Sequence, residues 1–252
     1  RLGLSATPER EYDDDGNEFL VRHIGSELMR FELDDAIRRE ILAPFDYFPL
    51  PYHMTAEDGQ RVRDVYKRQA ARAAAGNPMS DEEVWIEIAR VYKTSRAKLP
   101  IFDDFIRENQ HLLKRCIVFV ETQDYGDEVL EIIHKYRSDF HTYFSGEESE
   151  TLKRFARGEL ECLITCHRVS EGIDIRSLNS VILFSSARAR LETIQRMGRC
   201  LRTDPDNPRK VANIVDFIRQ SDEDGEQNAD EERAEWLTGL STVRAGDTTS
   251  DN

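Results

Sequence analysis

Cysteine is scarce in this chain and never closely paired. Four thiols, Cys116, Cys162, Cys166 and Cys200, are spread over 252 residues without one Cys-x-x-Cys, so the expectation is reduced thiols rather than a disulfide or zinc framework. Cys162, Cys166 and His167 lie near one another. They fall on a predicted strand and its exit, where successive side chains face opposite ways, and are read as non-ligands. No apolar run approaches the roughly 20 residues that cross a bilayer. Nor does the N-terminus show the basic, apolar and small-residue regions of a secretory signal. A soluble, cytoplasmic protein without a membrane partner is expected. Positive charge is in deficit, with 35 Lys and Arg against 49 Asp and Glu and a net charge of -14. At first sight this argues against a nucleic-acid partner, because phosphate neutralisation needs local positive potential, yet a few arginines, hydroxyls and amides in a groove can hold a backbone, so the acidic total does not exclude DNA. The deficit is uneven, however. Residues 219–252 carry ten acids against Arg219, Arg233 and Arg244, which is half of the whole excess, and they read as a solvated acidic tail.

What is present is an α/β alternation. A hydrophobic content of 39% suffices for one ordinary domain with appendages. From residue 114 the pattern predicts strand 116–121, helix 124–136, strand 139–144, helix 148–157, strands 160–165 and 180–184, helix 189–201 and strand 211–217. Short β-branched runs separated by helices indicate a mostly parallel sheet covered on both faces. Before it, residues 11–28 read as a polar crossing loop and Met29–Leu33 as a short strand. Asp34 is the expected N-cap of a helix to about Ile41. The aromatic run from Phe45 to Tyr52, ended by prolines, reads as a strand at the sheet edge. Residues 55–75, 80–97 and 100–113 have helical periodicity, with Ser80 and Glu83 forming a capping box. Arg61, Arg63, Lys67, Arg68 and Arg72 on the first of these helices fit a solvated face better than a DNA-contacting one.

The run Gln195-Arg196-Met197-Gly198-Arg199-Cys200-Leu201-Arg202 sets two arginines three residues apart. On a helix, Arg199 and Arg202 would share one face and could converge on one anion. Alone, the octet also fits a surface helix with solvated arginines. Upstream stand Ser170-Glu171-Gly172-Ile173-Asp174 and, at the start, Leu4-Ser5-Ala6-Thr7-Pro8-Glu9-Arg10. In this order, with an α/β pattern between them, the three elements resemble motifs III, V and VI of superfamily 2 helicases and translocases. The Ser-Ala-Thr-Pro-Glu-Arg form is most similar to the XPB-like and restriction-enzyme-like branch, and the resemblance runs from residue 1 to about 218.

That resemblance implies an α/β fold: a RecA-like parallel sheet flanked by helices, the helicase C-terminal domain, with a helical insert. Residues 1–28 would be the end of an N-terminal RecA-like domain and a linker, 29–113 a connecting strand and insert, 114–218 the C-terminal RecA-like domain and 219–252 the acidic tail. It further implies that Arg202 is the arginine finger, Arg199 a second γ-phosphate contact and Gln195 a nucleotide sensor. Gly198 would allow close helix packing, Gly172 and Asp174 would couple nucleotide to domain closure, and Ser5 and Thr7 would link hydrolysis to strand movement. Backbone contacts would come from hydroxyls and amides at the strand ends, namely Thr122, Ser145, Gly146 and Thr165. The family's hydroxyl position falls on Cys166, one residue beyond Thr165. ATP and Mg2+ are the implied cofactors, and DNA, or RNA, and an N-terminal RecA-like domain in cis are the implied partners. Neither a Gly-x-x-x-x-Gly-Lys-Ser/Thr loop nor an Asp-Glu-x-His or Asp-Glu-x-Asp motif stands in the sequence. Those elements cradle the phosphates and orient magnesium, so this polypeptide alone is expected to be inactive towards ATP.

Two functions follow. One is the C-terminal half of an ATP-dependent DNA helicase or translocase in restriction, defence or repair. The other is a non-catalytic RecA-like module that binds nucleic acid or protein. A nuclease finds no support, since no Asp…Glu-x-Lys cluster is present.

Overall fold

The computed structural model describes residues 14–29, 31–144, 149–166, 175, 177–186, 190–221, 227–244 and 246. Its framework is one six-stranded, all-parallel sheet: β1 (Phe45–Tyr52), β2 (Cys116–Phe119), β3 (Phe140–Tyr143), β4 (Cys162–Thr165), β5 (Ser180–Leu183) and β6 (Ala212–Arg219). The spatial order is β1-β6-β5-β2-β4-β3. The four central strands are buried along nearly their whole length, as expected of a parallel sheet with both faces covered. β1 lies at the edge, in register with β6 from Phe45 opposite Ala212 to Tyr52 opposite Arg219. Pro49 and Pro51 are tolerated there because an edge strand needs no donor on its outer side.

Alternation along β2 builds two cores. Ile117 and Phe119 face one way with Leu163, Val181, Leu183 and Ile214, covered by α2 (Leu33–Arg38), α7 (Ser149–Ala156), α8 (Arg190–Cys200) and α9 (Ala229–Ser241). Val118 faces the other way with Ile164, Ile182, Val215 and Phe217, covered by α5 (Lys98–Glu108) and α6 (Gln123–His134). At the amino end of the sheet the buried Arg115, at a left-handed φ of 51°, ties three segments together. It donates to the Phe155 and Leu160 carbonyls at 2.7 and 2.9 Å and to Ser177 Oγ at 2.8 Å, while stacking 4.5 Å from the Phe155 ring.

The insert folds as expected, with α3 (Ala56–Ala74) and α4 (Asp81–Lys93) around a small core of Val65, Met79, Val84 and Ile88. The Ser80–Glu83 capping box is present, and a second, Thr55–Asp58, starts α3. The insert's basic residues are committed to neighbouring polar groups, for example Lys67 to Asp64 at 3.0 Å and Arg72 to Glu83 at 3.4 Å.

Three expectations are corrected. Within the polar stretch 11–28, residues Asp14–His23 form a helix, α1, whose acidic first turn and basic last turn suit the helix dipole. Met29–Leu33 is not a strand: the described residues there have no sheet partner, and Leu33 instead opens α2. Glu32 is the N-cap of α2, without a side-chain cap bond, and Asp34 lies inside the first turn, paired with Arg38 at 2.6 Å. Within the acidic tail, the described residues Ala229–Ser241 form a docked helix and not a solvated appendage. Asn228 caps α9 in a capping box with Glu231, and Leu237 and Leu240 bury themselves on the sheet beside β1 and β6. Acids in the first turn favour that helix, so the composition that suggested solvation also supports order.

Candidate functional site

The arginine run forms α8, whose inner face is set by Met197 and Cys200, with Leu201 buried just beyond. Gln195 is exposed on the same helix, while Gly198 and Arg199 are half-buried. The helix ends at Cys200, so Arg202 does not continue the turn that carries Arg199. It sits instead in an isolated antiparallel bridge with Leu42. Donors from elsewhere take over the terminal carbonyls: the Ala43 N–H reaches the Leu201 carbonyl at 2.7 Å, and Lys210 Nζ reaches the Arg202 carbonyl at 2.8 Å. These partners hold the chain just past the helix end. The side chain of Arg202 is exposed. A Cβ placed on Gly198 would meet no heavy atom of the described residues within 4 Å, so no close approach to it is seen among them.

Arg196, given no role from the sequence, proves to be the anchor of α8. It is buried, lies 4.9 Å from the centre of the Phe119 ring, and donates from Nη1 to the Ser185 carbonyl and, at 3.1 Å, to Ser185 Oγ. Ser185 and Ser186 leave β5 at its carboxyl end, where loops of a parallel α/β sheet carry function. Lys98, at the start of α5, holds the same exit from the opposite face. Its Nζ donates to the Phe184 carbonyl at 2.8 Å and lies 5.0 Å from the centre of the Tyr52 ring. Burial pulls its pKa down to about 8.

Beneath the exit lies Asp216, fully buried in β6. It is paired with Arg233 of α9 at 2.8 Å, accepts from Tyr47 Oη at 3.2 Å, and accepts from Ser186 Oγ. Burial and the adjacent carboxylate push the Tyr47 hydroxyl far above its usual range. Burial opposes the charge on Arg233, but Asp216 and Asp230 outweigh it and keep its pKa above the ordinary value. A carboxylate inside the apolar run Ile214-Val215-Asp216-Phe217-Ile218 was the available signal for this network, because a buried charge requires a partner. Nothing local identified Arg233 as that partner.

The predicted backbone-contact residues have different surroundings. Thr122 is half-buried and caps α6, accepting from the Tyr125 N–H at 3.3 Å. It lines a polar groove of about 390 Å³ together with Arg61, Arg90, Arg96 and Glu128, so the helical insert and the β2 exit share one surface. Thr165 is 0% exposed, so a strand-end contact through its hydroxyl is corrected: the hydroxyl is turned into the protein. Cys166, the next residue, is half-buried. Ser5, Thr7, Ser145, Gly146, His167, Gly172 and Asp174 lie outside the described residues. Among the described residues no three His, Cys, Asp or Glu side chains are grouped to hold a metal ion. None of their helices is long and apolar enough to cross a membrane.

Residues 97–204, from the start of α5 to just past Arg202, match the helicase conserved C-terminal domain. The match takes in α5 to α8, the arginine run included. A protein named as a helicase in Sulfolobus islandicus filamentous virus (isolate Iceland/Hveragerdi) is 25% identical over 229 residues, which cover 88% of this chain and 38% of the relative. An ATP-dependent DNA helicase of Schizosaccharomyces pombe is 26% identical over 113 residues, covering 39% of this chain and 14% of that protein. The chain thus spans well under half the length of these relatives. Among solved structures, a fragment assigned to the HsdR subunit of a type I restriction enzyme from Vibrio vulnificus YJ016 superposes with a TM-score of 0.53 at 21% identity, covering 84% of this chain and 38% of the other. The C-terminal part of the Fun30 ATPase domain gives 0.52 at 10% identity, covering 83% and 91%. These likenesses establish the fold of the helicase C-terminal domain, a six-stranded parallel sheet between helices.

Proposed function

We propose that this chain is the second RecA-like half of an ATP-dependent nucleic-acid motor acting on DNA, with Arg202 and Arg199 completing an ATP site whose phosphate loop and Mg2+ ligands belong to an N-terminal RecA-like domain. The observation that carries this reading is the form of α8. Its inner side is fixed by Met197, Cys200 and the Arg196–Ser185 clamp, while Arg199 is half-buried and Arg202 exposed at its end. Arg199 on a rigid, well-seated helix and Arg202 in the bridge to Leu42 just past it suit the task of meeting a phosphoanhydride held by another domain, where placement and charge supply most of the rate. The open face at Gly198 supports the same reading, since it leaves room for another polypeptide to approach α8.

The DNA backbone would run past the carboxyl ends of the strands, with the Thr122 groove as its described part. Contacts of that type position the strand without reading its sequence. Restriction or repair is the proposed setting, and a restriction-enzyme subunit is among the structures that share the fold.

The test is Arg202→Ala in the full-length protein. DNA-stimulated ATP turnover should fall by roughly a hundredfold or more, with nucleotide affinity nearly unchanged, because the arginine acts on the transition state. A variant that keeps most of its turnover removes Arg202 from the reaction. A full-length wild type that binds DNA without hydrolysing ATP favours the non-catalytic module.

A further inference from the structure

The acidic tail belongs to neither the family match, which ends at residue 204, nor the motifs, yet it sends one charge into the core. Resting on the function proposed above, we propose that Arg233 is a positioning residue for ATP turnover, acting through Asp216 and Ser186 on the segment that delivers the arginine helix α8.

The connections are continuous. Arg233 is 4% exposed and Asp216 0% exposed, and the pair is two-pronged, Nε to Oδ2 at 2.8 Å and Nη2 to Oδ1 at 3.3 Å. A fork of this kind fixes the plane of the carboxylate as well as its place. Oδ1 also accepts from Ser186 Oγ. The adjacent Ser185 is held from α8 by Arg196. The two serines leaving β5 are thus gripped from both sides, by the tail through Asp216 and by the arginine helix through Arg196. Arg199 lies one turn beyond Arg196 on that helix.

A salt bridge used only for stability needs no third partner on a strand exit, and a buried ion pair is weak evidence for stability in any case. Here the charge pair is linked to the two serines that α8 grips through Arg196, so drift of Ser185 and Ser186 would shift the helix that carries Arg199. Displacements of about 1 Å away from the reacting atoms can cost on the order of a hundredfold in rate. The tail helix also has an independent reason to be in place, through Leu237 and Leu240, so Arg233 can hold Asp216 without bearing the docking of α9.

The experiment uses the full-length protein and measures DNA-stimulated ATP turnover and thermal unfolding together. Ser186→Ala cuts the link to Asp216 while leaving the ion pair intact. It should lower kcat about tenfold with KM for ATP within about twofold of wild type and unfolding unchanged, and Ser186→Thr, which keeps the hydroxyl, should restore kcat. Arg233→Met should lower kcat per folded molecule by a similar factor, and adding Ser186→Ala to it should lower kcat no further, as groups acting in series behave. Wild-type kcat in Ser186→Ala, losses that multiply in the double variant, or losses that only track the unfolded fraction would overturn the proposal. Arg202→Ala is the control: if it abolishes turnover while Ser186→Ala keeps the wild-type kcat, the motor stands and this inference fails. A wild type without turnover removes both.

Discussion

Replacing Lys98 by methionine makes the burial of one cation measurable. The ammonium is enclosed between the start of α5, the Tyr52 ring and the exit of β5, and its pKa falls from 10.5 to about 8 through burial. The native state therefore holds this proton less tightly than the unfolded chain does. Between pH 8 and 10.5 the unfolded state binds more protons, so stability contributed at this site rises with pH. Below pH 8 the lysine is charged in both states and the full penalty is present. A displacement of 2.5 pKa steps corresponds to about 3 kcal/mol, of which about 2 kcal/mol is recovered between pH 8 and 10. At any single pH the sign for Lys98→Met is mixed, because the variant escapes the desolvation cost but leaves the Phe184 carbonyl without its 2.8 Å donor. The pH dependence is free of that ambiguity. Urea unfolding of wild type and Lys98→Met at pH 8, 9 and 10 should give stability curves that diverge in favour of wild type by about 2 kcal/mol over the range. Other titrating groups cancel in the difference. Parallel curves would refute the burial of a charged amine at this position.

Two glycines on helices should respond oppositely to alanine. At Gly126 in α6 the new Cβ would lie 2.8 Å from Phe144 Cζ and 3.1 Å from Val120 Cγ2, so an overpacking cost of about 1–3 kcal/mol should outweigh a helix-propensity gain of about 1 kcal/mol in urea unfolding. Gly198→Ala meets open space and should stabilise the isolated chain by up to about 1 kcal/mol, while lowering ATP turnover in the full-length protein if another domain closes on that face. The thiols give a further test. Cys116, Cys162 and Cys200 are buried, and burial pushes Cys200 up to about 12 and Cys116 upward as well. A disulfide reagent at pH 8 should label Cys166 rapidly in the native chain and the other three only after denaturation. Fast labelling of Cys200 would contradict the seating of α8.

Much of the fold was legible because its signals are local. The strand runs from Cys116, Phe140, Cys162, Ser180 and Ala212 could be placed from β-branched, apolar stretches between helical periods, and Ser80 and Glu83 announced α4 through a hydrogen-bond pattern confined to four residues. The prolines were read as ending the first strand, whereas Pro49 and Pro51 lie within β1, where its edge position tolerates the missing N–H. The motif residues were legible as types: glycine, aspartate and arginine at fixed spacing.

What the tertiary structure decided concerns partners far apart in the chain. Helix α8 stops at Cys200, and just beyond it Ala43 N–H and Lys210, distant in sequence, take the carbonyls of Leu201 and Arg202. Thr165 turns inward because β4 is covered on both faces. The tail, acidic enough to read as solvated, docks because Leu237, Leu240 and Arg233 find a sheet face and the carboxylate of Asp216. Hydrophobic period and cap chemistry are written within a few residues of where they act. Whether a charge is buried, and against what, depends on neighbours brought in by the fold, such as those 17 positions away at Asp216 and Arg233 or 86 positions away at Lys98 and Phe184.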